Sequence, residues 1–224
     1  MTQSRKSIVN TRKLTLAAMF VALAYVSVVL FRLKIMPTAD FLTYDVKDVV
    51  ITLGGLILGP LYALLIAVIT AFLEMISISD TGPIGFIMNA LSSSVFACTA
   101  AIIYTRRKTL NNALIGLICG VIIMVITMLL WNYIITPMYQ GVPREVVAGM
   151  LPTVFLPFNA LKGGLNAAFT FLLYRPVIGM LRAAKLMPAS SSGAKKKLPV
   201  VPLIVSVALI VTCVLVILSM NEVI

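Results

Sequence analysis

The chain contains no histidine, and only 7 of its 224 residues are acidic. The first absence excludes imidazole zinc sites, histidine-activated nucleophiles and histidine proton relays. The second leaves few carboxylates, and no pair of acids is expected inside a membrane of the kind a pump or an intramembrane protease needs. Cysteine is scarce as well. Cys98, Cys119 and Cys213 lie in separate apolar runs with no C-x-x-C spacing, so they are expected to be inert core thiols. The motifs GxxxxGK[ST], GxSxG and HExxH are all missing, so the chain carries no nucleotide motor of its own, and an intramembrane enzyme is disfavoured.

Apolar residues take up the space these types leave. The chain is 61% hydrophobic and 11% charged, with a mean hydropathy of +1.09. A soluble domain of this size needs far more charge to cover its surface. Several apolar runs reach the about 18 residues that span a bilayer, and the composition describes a polytopic membrane protein. The polar, basic start MTQSRKSIVNTRK precedes an apolar run too long for a signal core and without a small-residue cleavage site, so no cleavable leader is expected.

The net charge of +11 comes from 18 basic residues, and 13 of them fall in Arg5–Lys13, Arg106–Lys108 and Arg175–Lys197. The seven acids avoid all three clusters. Basic clusters beside apolar spans orient a membrane protein, with the basic side in the cytoplasm. They lack the interleaved aromatic or hydrogen-bonding readers of a nucleic-acid groove, so no nucleic acid is expected as a partner.

Walking along the chain, residues 1–13 form a cytoplasmic N-terminus and 14–182 a six-span core. The first span is near 14–31, followed by an outer loop with Pro37, Asp40, Asp45 and Asp48. Gly59-Pro60 divides the next apolar run into short spans near 48–59 and 61–77, because proline lacks an amide N–H and restricts the residue before it. The outer turn SISDTGPIG leads to spans near 84–104 and 112–135, the latter expected to end at Pro137. A sixth span lies near 153–174. Residues 183–198 form a Lys/Ser-rich cytoplasmic linker, and 199–220 an additional transmembrane helix that is either packed on the core or a loose appendage. The fold class is all-α.

The sixth span contains PFNALKGGLNAAF, in which Asn159, Lys162 and Asn166 form one polar stripe at helical spacing. Lys162 lies roughly 13 Å inside the span, where an ammonium costs about 2.5–3.5 kcal/mol unless it faces protein, water or a ligand. One reading has Lys162 snorkel to the surface while the amides bridge helices. The other makes the stripe a ligand site, with Gly163 and Gly164 admitting a helix or a flat molecule to the backbone. Asn132 near the outer end of the fifth span adds a group that donates and accepts, while Trp131, Tyr133 and Tyr139 suit an interfacial belt. Amides plus one cation suit a neutral heterocycle with alternating N–H and C=O groups. FLTYDVKD can cover such a pocket, although Asp45 or Asp48 can equally cap the second helix. Glu74 and Asn89 lie near enough to line the same cavity. Ala18 and Ala22, four apart in the first span, mark either an internal helix contact or a partner's docking face.

The Ala18–Ala22 pair, FLTYDVKDV followed by GGLILGP, the turn DTGPIGFIMN, and the block from WNYIITPMY to LPTVFLPFNALKGGLNAAFTFLLYRP together resemble one family. They are similar, over roughly residues 10–185, to the riboflavin-binding S components of energy-coupling factor (ECF) vitamin transporters. The resemblance implies six helices that capture riboflavin from outside and then join a transmembrane T component and two ATPase subunits. It assigns flavin hydrogen bonding to Asn132, Asn159 and Lys162, places Tyr44 and Asp45 in a closing loop, and makes Ala18 and Ala22 the T-component contact. Asn166, Gly163 and Asn89 complete the expected ligand site. Lys162 is expected to donate to a ring carbonyl without an anionic partner. The flavin is cargo, no resident cofactor or metal is implied, and no catalysis is expected. Residues 186–224 depart from the six-span pattern. An S component for an anionic vitamin such as pantothenate, a ligand-free membrane assembly or signalling protein, and an intramembrane enzyme are the competing readings.

Overall fold

The computed structural model describes residues 11–35, 42–79, 81–184 and 200–220. Asp40, Asp80, Glu222, Pro37 and most of the expected Lys/Ser-rich linker lie outside the described residues. The chain is an all-α polytopic membrane protein. Helix α1 (Thr11–Leu30) leads into a hairpin of two short strands, β1 (Arg32–Lys34) and β2 (Thr43–Asp45). Then come α2 (Lys47–Leu58), α3 (Pro60–Ser77), α4 (Gly82–Arg106), α5 (Leu110–Gln140), the short α6 (Arg144–Met150), a π-helical turn over Leu151–Phe155, α7 (Leu156–Ala183) and α8 (Val200–Met220). Among the described residues, α1, α3, α4, α5 and the continuous helical path Arg144–Ala183 are long and apolar enough to cross a membrane.

Helix α2 explains how the bundle is organised. At 12 residues it is too short to span a bilayer, yet nine of its residues are buried, because α1, α3, α4 and α7 all pack around it. It ends as the Gly59-Pro60 pair requires. Gly59 takes a φ of 111°, a conformation side chains disfavour, and Pro60 starts α3 at a position where its missing N–H costs nothing. Outside the bundle α1, α3 and α5 present leucine, isoleucine and valine to lipid, as in Leu23, Leu61 and Ile126. Helices α4 and α5 approach closely because Gly116 and Gly120 face the backbone of Ala100 and Phe96.

The structure departs from or adds to the sequence pattern at three places. Pro137 does not end the fifth span: α5 runs on to Gln140 and stops at Gly141, whose φ of 65° supplies the left-handed terminator. Proline removes one amide near the helix end and leaves the remaining turns intact. Neither Asp45 nor Asp48 caps α2, since the cap position is Val46 and no side chain bonds there. The first outer loop is not irregular throughout, because Arg32, Leu33 and Lys34 pair antiparallel with Asp45, Tyr44 and Thr43. The open question about the C-terminal helix is also answered. Helix α8 packs on α7, with Cys213 buried beside the hairpin's apolar cluster.

Candidate ligand-binding site

One end of the bundle carries the hairpin, and a pocket opens beneath it. Thr43 and Leu42 border it from the hairpin side, Asn89 and Ser92 from α4, Met128 and Asn132 from α5, and Phe158, Asn159 and Lys162 from α7. Arg32, Thr81 and Met88 complete the rim. The empty space, counting open solvent at the mouth, is about 540 Å3. Leu42, Met88, Met128 and Phe158 make apolar walls, and three carboxamides, three hydroxyls, the Lys162 ammonium and the Arg32 guanidinium interrupt them.

The amides are held before any ligand arrives. Asn132 Nδ2 donates to the Met128 carbonyl at 2.7 Å, and its Oδ1 accepts from Thr136 Oγ1 at 2.9 Å. Asn159 Nδ2 donates to the Phe155 carbonyl, in the π-helical turn, at 2.8 Å. A carboxamide that gives one N–H to its own helix keeps a second N–H and further acceptor capacity for a ligand. Both side chains are thereby locked in one rotamer, which lowers the entropy cost of binding.

Lys162 is not alone. Its Nζ donates to Asp45 Oδ2 at 3.2 Å and lies 3.7 Å from Asp48 Oδ2. Lys47 Nζ donates to Glu74 Oε2 at 2.6 Å and lies 3.4 Å from Asp45 Oδ2. All five residues are buried. The expectation of a cation without an anionic partner is therefore overturned. A buried ammonium is too costly unless paired, and the chain supplies the pairs from β2, α2 and α3. At Asp45, burial pushes the carboxyl up, but the ammoniums of Lys162 and Lys47 outweigh it and hold it below the usual carboxylate range. The neighbouring Tyr44 phenol moves the other way, raised first by burial and then by the Asp45 and Asp48 carboxylates.

A model of the family described as ECF transporter, substrate-specific component matches residues 12–174. The chain belongs to that family. Among curated relatives, this S component is 29% identical to the riboflavin transporter RibU of Staphylococcus aureus, over 77% of this chain and 93% of that one. It is 28% identical to the riboflavin transporter FmnP of Bacillus subtilis, over 79% of this chain and 99% of that one. To the riboflavin transporter RibU of Streptococcus thermophilus it is 26% identical, over 77% of this chain and 85% of the other. A solved structure described as the S component of a bacterial ECF transporter superposes with a TM-score of 0.65 at 28% identity, covering 77% of this chain and 98% of that one.

Of the residues singled out in the sequence, Asn89, Asn132, Asn159 and Lys162 of this S component meet in one pocket. The others do not line it. Gly163 faces α5, where a Cβ would lie 2.9 Å from Met124 Cε and from Val121 Cγ1, so its smallness serves helix packing and not a ligand. Asn166 turns to Asp48, donating to Oδ2 at 3.2 Å. Tyr44 packs into the apolar cluster with Phe155, Phe158 and Cys213, because alternation along β2 sends it to the face opposite Thr43. Asp45 is occupied by the two lysines. Ala18 and Ala22 are exposed on the outer face of α1, not buried between helices. Sequence reasoning missed Lys47 as Glu74's partner. The available signal was a charged pair, Lys47-Asp48, opening an otherwise apolar run, with a lone Glu74 inside the next.

Proposed function

We infer that this S component captures riboflavin on the outer side of the cell membrane and delivers it for ATP-driven uptake. The observation that carries the reading is the convergence of Asn132, Asn159 and Lys162 from α5 and α7 on one apolar-walled pocket under the hairpin. A flavin's pyrimidine edge alternates C=O and N–H groups, which two carboxamides and an ammonium can match, while its dimethylbenzene end suits Met128, Met88 and Phe158. The named riboflavin transporters among its relatives support the same ligand.

The chain binds and hands over; it does not convert. The exposed Ala18 and Ala22 on α1 offer a smooth surface for the transmembrane T component, which carries two cytoplasmic ATPase subunits. The basic ends of α4 and α7, Arg106 and Arg182, face the cytoplasm and the hairpin faces outward. The reading as a receptor for an anionic vitamin loses its basis, since Lys162 already faces carboxylates.

Titration of the protein in mild detergent with riboflavin, followed by flavin fluorescence, tests the proposal. Tight quenching that is lost in Asn159→Ala and Lys162→Ala is the expected outcome. Absence of quenching up to about 10 μM, a binding free energy of only about −7 kcal/mol, would sink it.

A further inference from the structure

Lys162 has two counter-ions, and they are held differently. Asp45 sits on the hairpin, uses the single oxygen Oδ2 toward both Lys162 and Lys47, and leaves Oδ1 without a hydrogen bond. Asp48 sits in the first turn of the buried helix α2 and is fixed through both oxygens. Its Oδ1 accepts from Ser93 Oγ of α4 at 2.5 Å, and its Oδ2 accepts from Asn166 Nδ2 of α7 at 3.2 Å. Helices α2, α4 and α7 thus fix one carboxylate beside the Lys162 ammonium.

The pocket is bordered by Leu42 and Thr43 of the segment that carries Asp45, so a ligand seated there meets that hairpin directly. Were the hairpin displaced, Lys47 would still have Glu74, at 2.6 Å in the structure, whereas Lys162 would have only Asp48. Without Asp48 as well, Lys162 would be a lone buried ammonium, which is costly and would drag it out of place.

We propose that Asp48 is a positioning residue for ligand capture: the counter-ion, fixed from three helices, that holds Lys162 at the pocket whatever the position of the hairpin-borne Asp45. Asp48 does not touch the ligand and acts through Lys162. The arrangement also sets the class of group the floor accepts. Two ammoniums there face three carboxylates, so an anion is repelled and a neutral carbonyl is favoured. The inference rests on the riboflavin reading and adds to it the chemistry of the group that meets Lys162.

A double-mutant cycle on the full-length protein in detergent, read by riboflavin quenching, tests it. Asp48→Asn keeps the shape and an acceptor for Ser93 while removing the charge. Asp48→Asn and Lys162→Met are each expected to weaken binding by at least about tenfold. The double variant should be no more than about threefold worse than Lys162→Met alone, because Asp48 matters only through the lysine. Ser93→Ala, which removes a hydrogen bond but no charge, should change affinity by less than about threefold. Losses that multiply in the double variant would overturn the proposal, since a merely structural aspartate adds its cost whatever stands at 162. Should Asp48→Asn fail to fold, the double variant decides. Recovery of a folded protein binding like Lys162→Met supports the role, and its failure to fold overturns it. A wild-type protein that does not quench riboflavin at all overturns the ligand reading itself, and with it the inference; wild-type quenching with a multiplicative cycle overturns the inference alone.

Discussion

The two ends of this bundle handle charge in opposite ways. At the basic end Arg106, Arg107, Lys108 and Arg182 are exposed and need no protein partner, because water and lipid headgroups solvate them. At the hairpin end Asp45, Lys47, Asp48, Glu74 and Lys162 are all at most 6% exposed, and each contacts a charge of opposite sign. One end leaves its charge exposed and the other buries it. Placing charge at a membrane surface needs only sequence composition, whereas burying it needs partners brought together by tertiary structure. Lys47 and Glu74 are 27 residues apart, and Lys162 and Asp45 are 117 apart. The hairpin end is accordingly where substitutions should be most costly.

The largest effect is expected for Lys47→Ala. It strands Glu74 in a buried position, and breaking a buried pair costs about 3–5 kcal/mol. Thermal unfolding in detergent should show a pronounced fall. An equal fall for Arg106→Ala at the basic end would erase the contrast. Next comes Lys162→Ala, which should weaken riboflavin binding by about 2–5 kcal/mol, through the lost donor and the two carboxylates left facing each other. Fluorescence titration checks this, and retained affinity would place the ligand elsewhere. Gly116→Leu sharpens the comparison from the apolar side. A Cβ there would lie 2.8 Å from the Ala100 carbonyl oxygen, a backbone atom that cannot swing aside. The expected loss is about 1–3 kcal/mol of stability by forcing α4 and α5 apart, and an unchanged melting temperature would contradict the close packing.

The pH response should also come from the hairpin end. The Asp45 carboxyl is held below its ordinary value by Lys162 and Lys47 against the opposing effect of burial. A depressed carboxyl contributes stability above its unfolded value, near about 3.9, and loses it as pH falls through the lower folded value. Melting temperature is therefore expected to be flat from pH 8 to 5 on this account and to decline below about pH 4. Asp45→Asn should lack that decline, and if it retained the wild-type profile, another group would be responsible.

How much of this was legible in the sequence follows the same division. The basic clusters, the Gly59-Pro60 break and the stripe of Asn159, Lys162 and Asn166 are local patterns, and the helices follow them. The hairpin was not legible, since three-residue strands carry too little alternation to stand out from a loop. Pro137 misled because one proline near a helix end removes a single hydrogen bond that the turns before it do not need. Gly163 was ambiguous by nature. A glycine beside a polar stripe admits either a ligand or a helix, and only the position of Val121 and Met124 decides between them. The pairing of Lys47 with Glu74 is a contact between separate helices, and no spacing rule reaches across them.

The smallest expected effect comes from the basic end, where the buried polar contact is neutral. Tyr104 of α4 and Tyr174 of α7 share a hydrogen bond between their hydroxyls, with rings 5.6 Å apart in an edge-on arrangement. Both residues are buried, so Tyr174→Phe leaves the Tyr104 hydroxyl without its partner and should cost about 1–3 kcal/mol, at the lower end because a bundle terminus lets water approach. The double variant, Tyr104→Phe with Tyr174→Phe, should cost less than either single, because two rings of nearly unchanged shape then meet with no polar atom to satisfy. Lys47 and Glu74 allow a parallel test, since replacing both by apolar residues should likewise recover part of the single-variant loss. Riboflavin affinity separates the two cases. It should be unchanged in all three tyrosine variants, which lie at the far end from the pocket, and altered in the lysine–glutamate double, whose loss leaves Asp45 to Lys162 alone. A tyrosine variant that weakened flavin binding by tenfold would show that the two ends are coupled and that the contrast between them is one of chemistry and not of function.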